Sequence, residues 1–413
     1  MFSLNRASIA PADRLVGTLY VYSFLDEFIL LYPVYALLFT DTGLSVAEIT
    51  SLFVIWSITG MVLEVPSGAW ADAVSRRLLL CLGPLLTATG LALWMIFPSY
   101  WAFAAGFVLW GASGALSSGA MEALVYEELQ RHGSAGRYAK VMGRASSVGL
   151  LADAAAIGVA IPVFAVGGYP AVGAASVLAC LLCAATGLTF REHRTRDLHE
   201  PTATHRGADA SPGADGTGQG EDSGYWAVMK AGLAEAHRDR LVLRALILVT
   251  MVTAIWGALE EYIPFLGTEA GVADAGIPVL VLIVWIGATA GGLLAGAAAR
   301  RLTERGLAVT LAVAAAALAG GALSGHPAGI VPIAVAFGLL QMSEVLADAR
   351  LQDSITGPSR ATVTSVAGLG TNVITLLVFA AYGAASSMTG HGVAFALLSA
   401  PYVLVALWLG VRR

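Results

Sequence analysis

The stretch SFLDEFILLYP, Ser23 to Pro33, decides how this chain is read. Asp26 and Glu27 stand side by side inside an apolar run from Leu15 to Phe39. A run of that length crosses the ~30 Å hydrocarbon core of a bilayer as a helix, for which about 20 residues suffice. A carboxylate at the centre of such a helix costs roughly 2.5–3.5 kcal/mol on insertion scales. Two in succession require a partner or a function.

The composition around this stretch is that of an integral membrane protein. The chain has 413 residues, 57% hydrophobic and 12% charged, with mean hydropathy +0.75, whereas a soluble domain carries about 25% charged residues. Cys81, Cys180 and Cys183 lie inside apolar runs, so no disulfide framework is implied. Cys180-Leu-Leu-Cys183 has redox spacing, but no His or further Cys stands near it, and packing is the better reading. The seven histidines fall in loops or at helix ends, which excludes an intramembrane metal site or histidine relay. The chain contains no phosphate-cradling Gly-x-x-x-x-Gly-Lys-Ser/Thr loop, and GADGTGQG follows no strand, so nucleotide-driven pumping is not supported. Short loops without a nucleophile–base set argue against an enzyme, and no cofactor or nucleic-acid partner is expected. The polar start MFSLNRASIAPADR precedes a run too long for a signal peptide, so the first helix is expected to be retained.

Twelve apolar segments can be placed, near 15–39, 46–69, 78–97, 99–124, 140–166, 169–190, 241–266, 275–299, 306–324, 328–350, 360–385 and 391–411. They fall into an N-terminal six-helix bundle (1–190) and a C-terminal one (241–413), joined by a polar linker (191–240) expected to be disordered. Every Lys and Arg then lies on one side. The opposite loops hold Asp41, Glu269 and Asp274 without a Lys or Arg. The positive-inside rule places both termini and the linker in the cytoplasm, in the cell membrane.

The acid pair recurs. LDEFILLYP in the first span aligns with LEEYIP in the seventh, pairing Asp26 and Glu27 with Glu260 and Glu261. Trp56 in the second span matches Trp285 in the eighth, and Glu122 in the fourth matches Glu344 in the tenth. Two parallel six-helix repeats are one of the two repeat architectures of secondary transporters. Over nearly its whole length the chain resembles the major facilitator superfamily. The most specific mark is Gly68-Ala-Trp-Ala-Asp72-Ala73-Val-Ser75-Arg76-Arg77, close to the family's Gly-x-x-x-Asp-Arg-x-Gly-Arg-Arg/Lys, with departures at Ala73 and Ser75. The resemblance implies an all-α fold of twelve transmembrane helices. It also implies that Gly68, Asp72, Arg76 and Arg77 form a conformational latch. Two family marks are missing: Phe107 stands where a fourth-span arginine is expected, and no Gly-Pro antiporter signature occurs around Gly158.

The spans hold Asp26, Glu27, Glu64, Glu122, Asp153, Glu260, Glu261, Glu344 and Asp348, none of them in spans 3, 6, 9 or 12. In the family those four spans are peripheral, while 1, 4, 7 and 10 line the central cavity. No Lys or Arg lies at mid-depth, and unneutralised carboxylates in a low-dielectric cleft bind protons or a cation. Asp26, Glu27, Glu122, Asp153, Glu260, Glu261, Glu344 and Asp348 are therefore the coupling candidates. Helical stripes favour Asp26 over Glu27 for the cavity, with Glu27 packing against a neighbour. Glu64 and Glu128 are expected to pair with basic residues. Interhelical hydrogen bonding is an equal alternative for Glu122 with Tyr126 and for Glu344 with Asp348. Glu260 or Glu261 could instead reach the headgroups. Tyr22, Tyr126 and Trp256 are the substrate-cavity candidates, with other aromatics assigned to interfacial belts or packing. Gly287, Gly291 and Ala295, and Gly292 with Gly296, read as close helix packing. Pro33, Pro162, Pro264 and Pro332 read as bends that a rocking transporter can use, although proline is common in membrane helices. The expected function is a monomeric, proton-coupled exporter of a lipophilic or cationic small molecule. The alternative is a symporter importing a cationic nutrient.

Overall fold

The computed structural model describes residues 11–192, 240–354 and 360–410. The expected linker lies outside the described residues except at its ends, and the side chains of Gly68 and Asp72 are likewise outside them. The helices are α1 (Pro11–Glu27), α2 (Tyr35–Asp41), α3 (Val46–Ala73), α4 (Arg76–Ile96), α5 (Tyr100–Arg131) and α6 (Tyr138–Gly187) in the first half. The second half has α7 (Arg240–Glu260), α8 (Ile263–Glu269), α9 (Ile277–Ala299), α10 (Glu304–Leu323), α11 (Ile330–Ser354), α12 (Arg360–Thr389) and α13 (His391–Gly410). Ten helical stretches among the described residues are long and apolar enough to cross a membrane. One of them, α6, crosses twice. It folds back at Gly168, whose φ of 58° and ψ of −157° suit a residue without Cβ. With α5, the crossings number twelve.

The helix pairings of one half recur in the other. α4 packs on α5 as α10 packs on α11, and α3 on α5 as α9 on α11; α4 against α6 is matched by α10 against α13. Two seams join the halves, α3 against α12 and α6 against α9. The first closes at the end of the bundle whose loops lack arginine. There Phe53 packs on Phe379 and Tyr262, with ring centroids 5.6 and 5.5 Å apart, and Tyr262 stacks on Tyr382 at 3.5 Å. Thr50 Oγ1 and the Tyr262 hydroxyl share a hydrogen bond of 3.1 Å.

Gly287 and Gly291 of α9 do seat on the backbone of α11. A Cβ on Gly291 would stand 2.7 Å from Gly338 Cα, and apolar helices without Cβ at the contact gain dispersion by close approach. Gly292 and Gly296 differ from the expectation. Gly296 has open space around it, and the nearest atom to a Cβ on Gly292 would be Gln341 Cγ at 3.6 Å. Phe107 is fully buried among Trp94, Trp110 and Trp56, at 4.8, 6.3 and 5.9 Å between ring centroids. An aromatic cluster thus fills the place where the family carries arginine.

Candidate functional site

Spans 1 and 7 are not continuous helices, and both break beside an acid pair. α1 stops at Glu27 and α2 starts at Tyr35; α7 stops at Glu260 and α8 starts at Ile263. Proline helps set where the second segments begin: Pro33 lies in the 3-10 turn Tyr32–Val34 that leads into α2 and Pro264 is the second residue of α8, positions where the missing N–H is spare. Backbone groups freed at the first break find partners. Ile29 N–H donates to Glu27 O (2.9 Å), Tyr32 N–H to Ile29 O (3.1 Å), and Leu31 N–H to Ser176 Oγ of α6 (2.9 Å). Interrupted helices at a binding site are a recurrent device of secondary transporters.

The breaks bring side chains of the two halves together. The Tyr32 hydroxyl lies 3.2 Å from Glu260 Oε1 and 3.5 Å from Glu261 Oε1, and Tyr35 donates to Glu261 Oε2. Glu261 is buried, so these two hydroxyls stand in for the water that a carboxylate otherwise requires. Tyr32 and Tyr35, assigned to belts or packing from the sequence, are the residues that sequence reasoning missed. The signal was an aromatic residue just ahead of proline in both repeats, Tyr32-Pro33 and Tyr262-Ile263-Pro264.

Two adjoining cavities lie on the arginine-rich side of this network, with Leu150 in the wall of both. The first, of about 440 Å³, is lined by Asp26, Glu27, Glu122 and Asp153 together with serines of α5 and α6. Asp153 is within electrostatic reach of Glu27, Glu260 and Asp26. Both members of the opening pair line this cavity, where Asp26 alone was favoured. Glu27 is exposed in the cavity, whereas Asp26 is half-buried with the thiol of Cys183 3.8 Å from its Oδ1. The stripes do not separate the two acids, because α1 ends at Glu27 and Leu30 and Leu31 do not continue its helical faces.

The second cavity, of about 530 Å³, lies between the halves and is lined by Glu260, Trp256, Trp285, Phe337, Gln341 and apolar residues of α6 and α9. The indole of Trp256 donates to Glu344 Oε2 at 2.8 Å, and Gln341 Nε2 lies 3.3 Å from the same oxygen. Glu344 is thereby tied to the cavity wall, while Asp348, one turn on, is exposed and lines neither cavity.

Other expected residues sit elsewhere. Tyr22 is almost fully buried, with its hydroxyl donated to Leu80 O at 3.0 Å, so only its flank touches the acid cavity. Tyr126 lines neither cavity; it is exposed, with its ring 5.5 Å from that of Tyr138. Of the latch residues, Arg76 pairs with Glu127 at 2.6 Å. The backbone N–H groups of Arg76 and Arg77 donate to Glu192 at 3.1 and 3.2 Å, and Ser75 donates to the same carboxylate. Glu192 thus caps the start of α4, where the helix dipole favours a negative charge. Glu128 is buried beside Arg131 and His132, at 3.9 and 4.0 Å. Cys180 and Cys183 are buried free thiols, and among the described residues no cluster fit to hold a metal occurs.

Twelve apolar crossings in two repeated halves, broken beside paired acids and enclosing a cavity between them, define a membrane transporter. The chain belongs to the Major Facilitator Superfamily, whose family model matches residues 16–347. No curated protein matches it in sequence. Similar solved structures include the nucleoside transporter NupG, with TM-score 0.68 at 13% identity over 96% of this chain and 98% of that one. The D-xylose-proton symporter gives 0.65 at 14% identity over 96% of each chain. A bacterial homologue of the human lysosomal transporter Spinster, inward-facing and unoccupied, gives 0.63 at 15% identity over 98% of this chain and 94% of that one. At such identities these likenesses show the fold alone.

Proposed function

We propose that the protein is a proton-coupled exporter of a lipophilic or cationic small molecule, such as a drug or secondary metabolite, working as a monomer in the cytoplasmic membrane with both termini inside the cell. The observation that carries this reading is the lining of the two cavities. It contains the carboxylates Asp26, Glu27, Glu122, Asp153 and Glu260 and no lysine or arginine. Carboxylates held together without a basic partner in a low-dielectric cleft are stabilised by a proton or by a cation. A proton and a cationic solute then compete for the same groups, and such competition couples their movements in opposite directions. Cavity volume supports a drug-sized solute, because ligand pockets commonly span about 300–1,000 Å³. With the arginine-free end closed, both cavities face the arginine-rich side, which the positive-inside rule makes cytoplasmic. Loading from the cytoplasm is what an exporter needs in this state. Release outside requires the contacts of Tyr32, Tyr35 and Thr50 with the second half to break.

Proteoliposomes with an acidic lumen test the direction. Proton exchange drives tetraphenylphosphonium into the lumen against its gradient. Accumulation only when the acid is outside would establish symport and overturn export.

A further inference from the structure

We propose that the solute enters the cavity between the halves from the bilayer itself, through the seam of α6 and α9, and that it is an amphipathic cation. Its charge is held at Glu260, and its apolar body lies along Leu150, Leu151, Leu293 and Val345. This deepens the function proposed above and rests on it.

The two adjoining cavities differ in kind. The acid cavity carries Ser117, Ser118 and Ser146 beside its four carboxylates, a wall that water and protons can follow. The second cavity has one carboxylate, Glu260, and an otherwise largely apolar wall. Its rim is open and mostly apolar, with Ser147 and Thr289 as the exposed polar side chains and no charged one. Leu151 and Leu293, facing each other across the seam from α6 and α9, are 65% and 81% exposed, and Leu150 is 55% exposed. An entrance used by hydrophilic solutes would not leave three leucines exposed at its mouth, since exposed leucines in water are unfavourable.

The rim runs on into a helix face that meets lipid. Ile286 and Leu293 are seven residues apart on α9 and so share a face, and Ile286 is itself exposed. On α6, Ser147, Leu151 and Ala154 follow the same spacing and line the cavity. Depth agrees. Leu293 lies six residues before the end of α9 and Val345 nine before the end of α11, or about 9 and 14 Å below the arginine-rich end at ~1.5 Å per residue. That is the level of acyl chains rather than headgroups. A molecule partitioned into that leaflet meets the rim with its hydrocarbon part, and its cation finds the single carboxylate deeper in. Trp285 stands in the wall beside Glu260. It is therefore a reporter placed inside the entrance.

The test uses the full-length protein in nanodiscs of phosphatidylcholine carrying brominated acyl chains, which quench tryptophan on contact. The Trp285 contribution is the emission of the parent minus that of Trp285→Phe, measured in brominated and in ordinary lipid. Lipid access predicts that brominated chains remove at least half of this contribution. Any smaller loss overturns the lateral entrance, whether or not aqueous iodide quenches the same signal. Tetraphenylphosphonium transport in the same preparation separates the two readings. Transport without bromolipid quenching sinks the entrance alone, and absence of transport sinks the function.

Discussion

Replacing Tyr35 by phenylalanine removes one hydroxyl and leaves everything else that Tyr35 does. Its ring packs on Phe39, Phe53, Trp94 and Phe107, all within the first half, with centroids 5.4 to 6.0 Å away, and phenylalanine preserves those contacts. The lost bond is to Glu261 in the second half. It exists only while the arginine-free end is closed; once that end opens, both groups are solvated. Its removal therefore acts on the equilibrium between closed and open forms rather than on the folding of either half. A hydrogen bond to a charged group contributes about 1.5–3 kcal/mol. Glu261 keeps Tyr32 at 3.5 Å, so the lower part of that range applies, and a shift of roughly tenfold toward the open form follows at about 1.4 kcal/mol per decade. Spin labels on Ala47→Cys and Ala273→Cys, exposed positions of opposite halves at the arginine-free end, report the separation by double electron–electron resonance. The native cysteines are buried and do not compete. In Tyr35→Phe the long-distance population should rise about tenfold in relative weight, with the melting temperature nearly unchanged. An unaltered distance distribution accompanied by lower thermal stability would refute the reasoning, because the bond would then be part of the fold.

Gly291→Ala should destabilise by about 1–3 kcal/mol, because the new methyl meets the α11 backbone, which cannot turn aside as a side chain can. Gly296→Ala, in open space on the same helix, should be neutral, and equal thermal shifts for the two would contradict the packing account. Phe107→Arg, which restores the family's residue type, should cost about 3–5 kcal/mol by burying a charge without a partner among aromatic rings. Normal yield and an unchanged unfolding temperature would show that the cluster admits an ion.

The twelve crossings, their division into repeats and the fold-back near Gly168 were legible because each depends on local hydropathy and on glycine, properties that stay with the residues. Concentration of acids around a cavity was legible from their absence in the peripheral spans. The interruptions of spans 1 and 7 were not, although Pro33 and Pro264 marked them. A break is tolerated in a membrane only where its backbone groups find partners, and for Leu31 that partner is Ser176, 145 positions away. That Glu27 lines the cavity as well as Asp26 was missed for the same reason, since helical periodicity was extended past a helix end that tertiary contacts create. The tyrosines at the break looked like belt or packing residues because their partners, Glu260 and Glu261, belong to the other half. No local pattern records such a pairing.

The central claim is that the acids lining the two cavities exchange protons for a cation. Proton release on adding tetraphenylphosphonium to the detergent-solubilised protein in weak buffer measures that exchange without a membrane or a gradient. The account predicts release from the intact protein, a smaller release from Glu27→Gln and from Asp153→Asn, and none when both are combined with Glu260→Gln. Asp26→Asn, beside Cys183 and half-buried, should have the mildest effect of the single substitutions. Release that persists undiminished in the triple variant, with tetraphenylphosphonium still bound, would contradict the account.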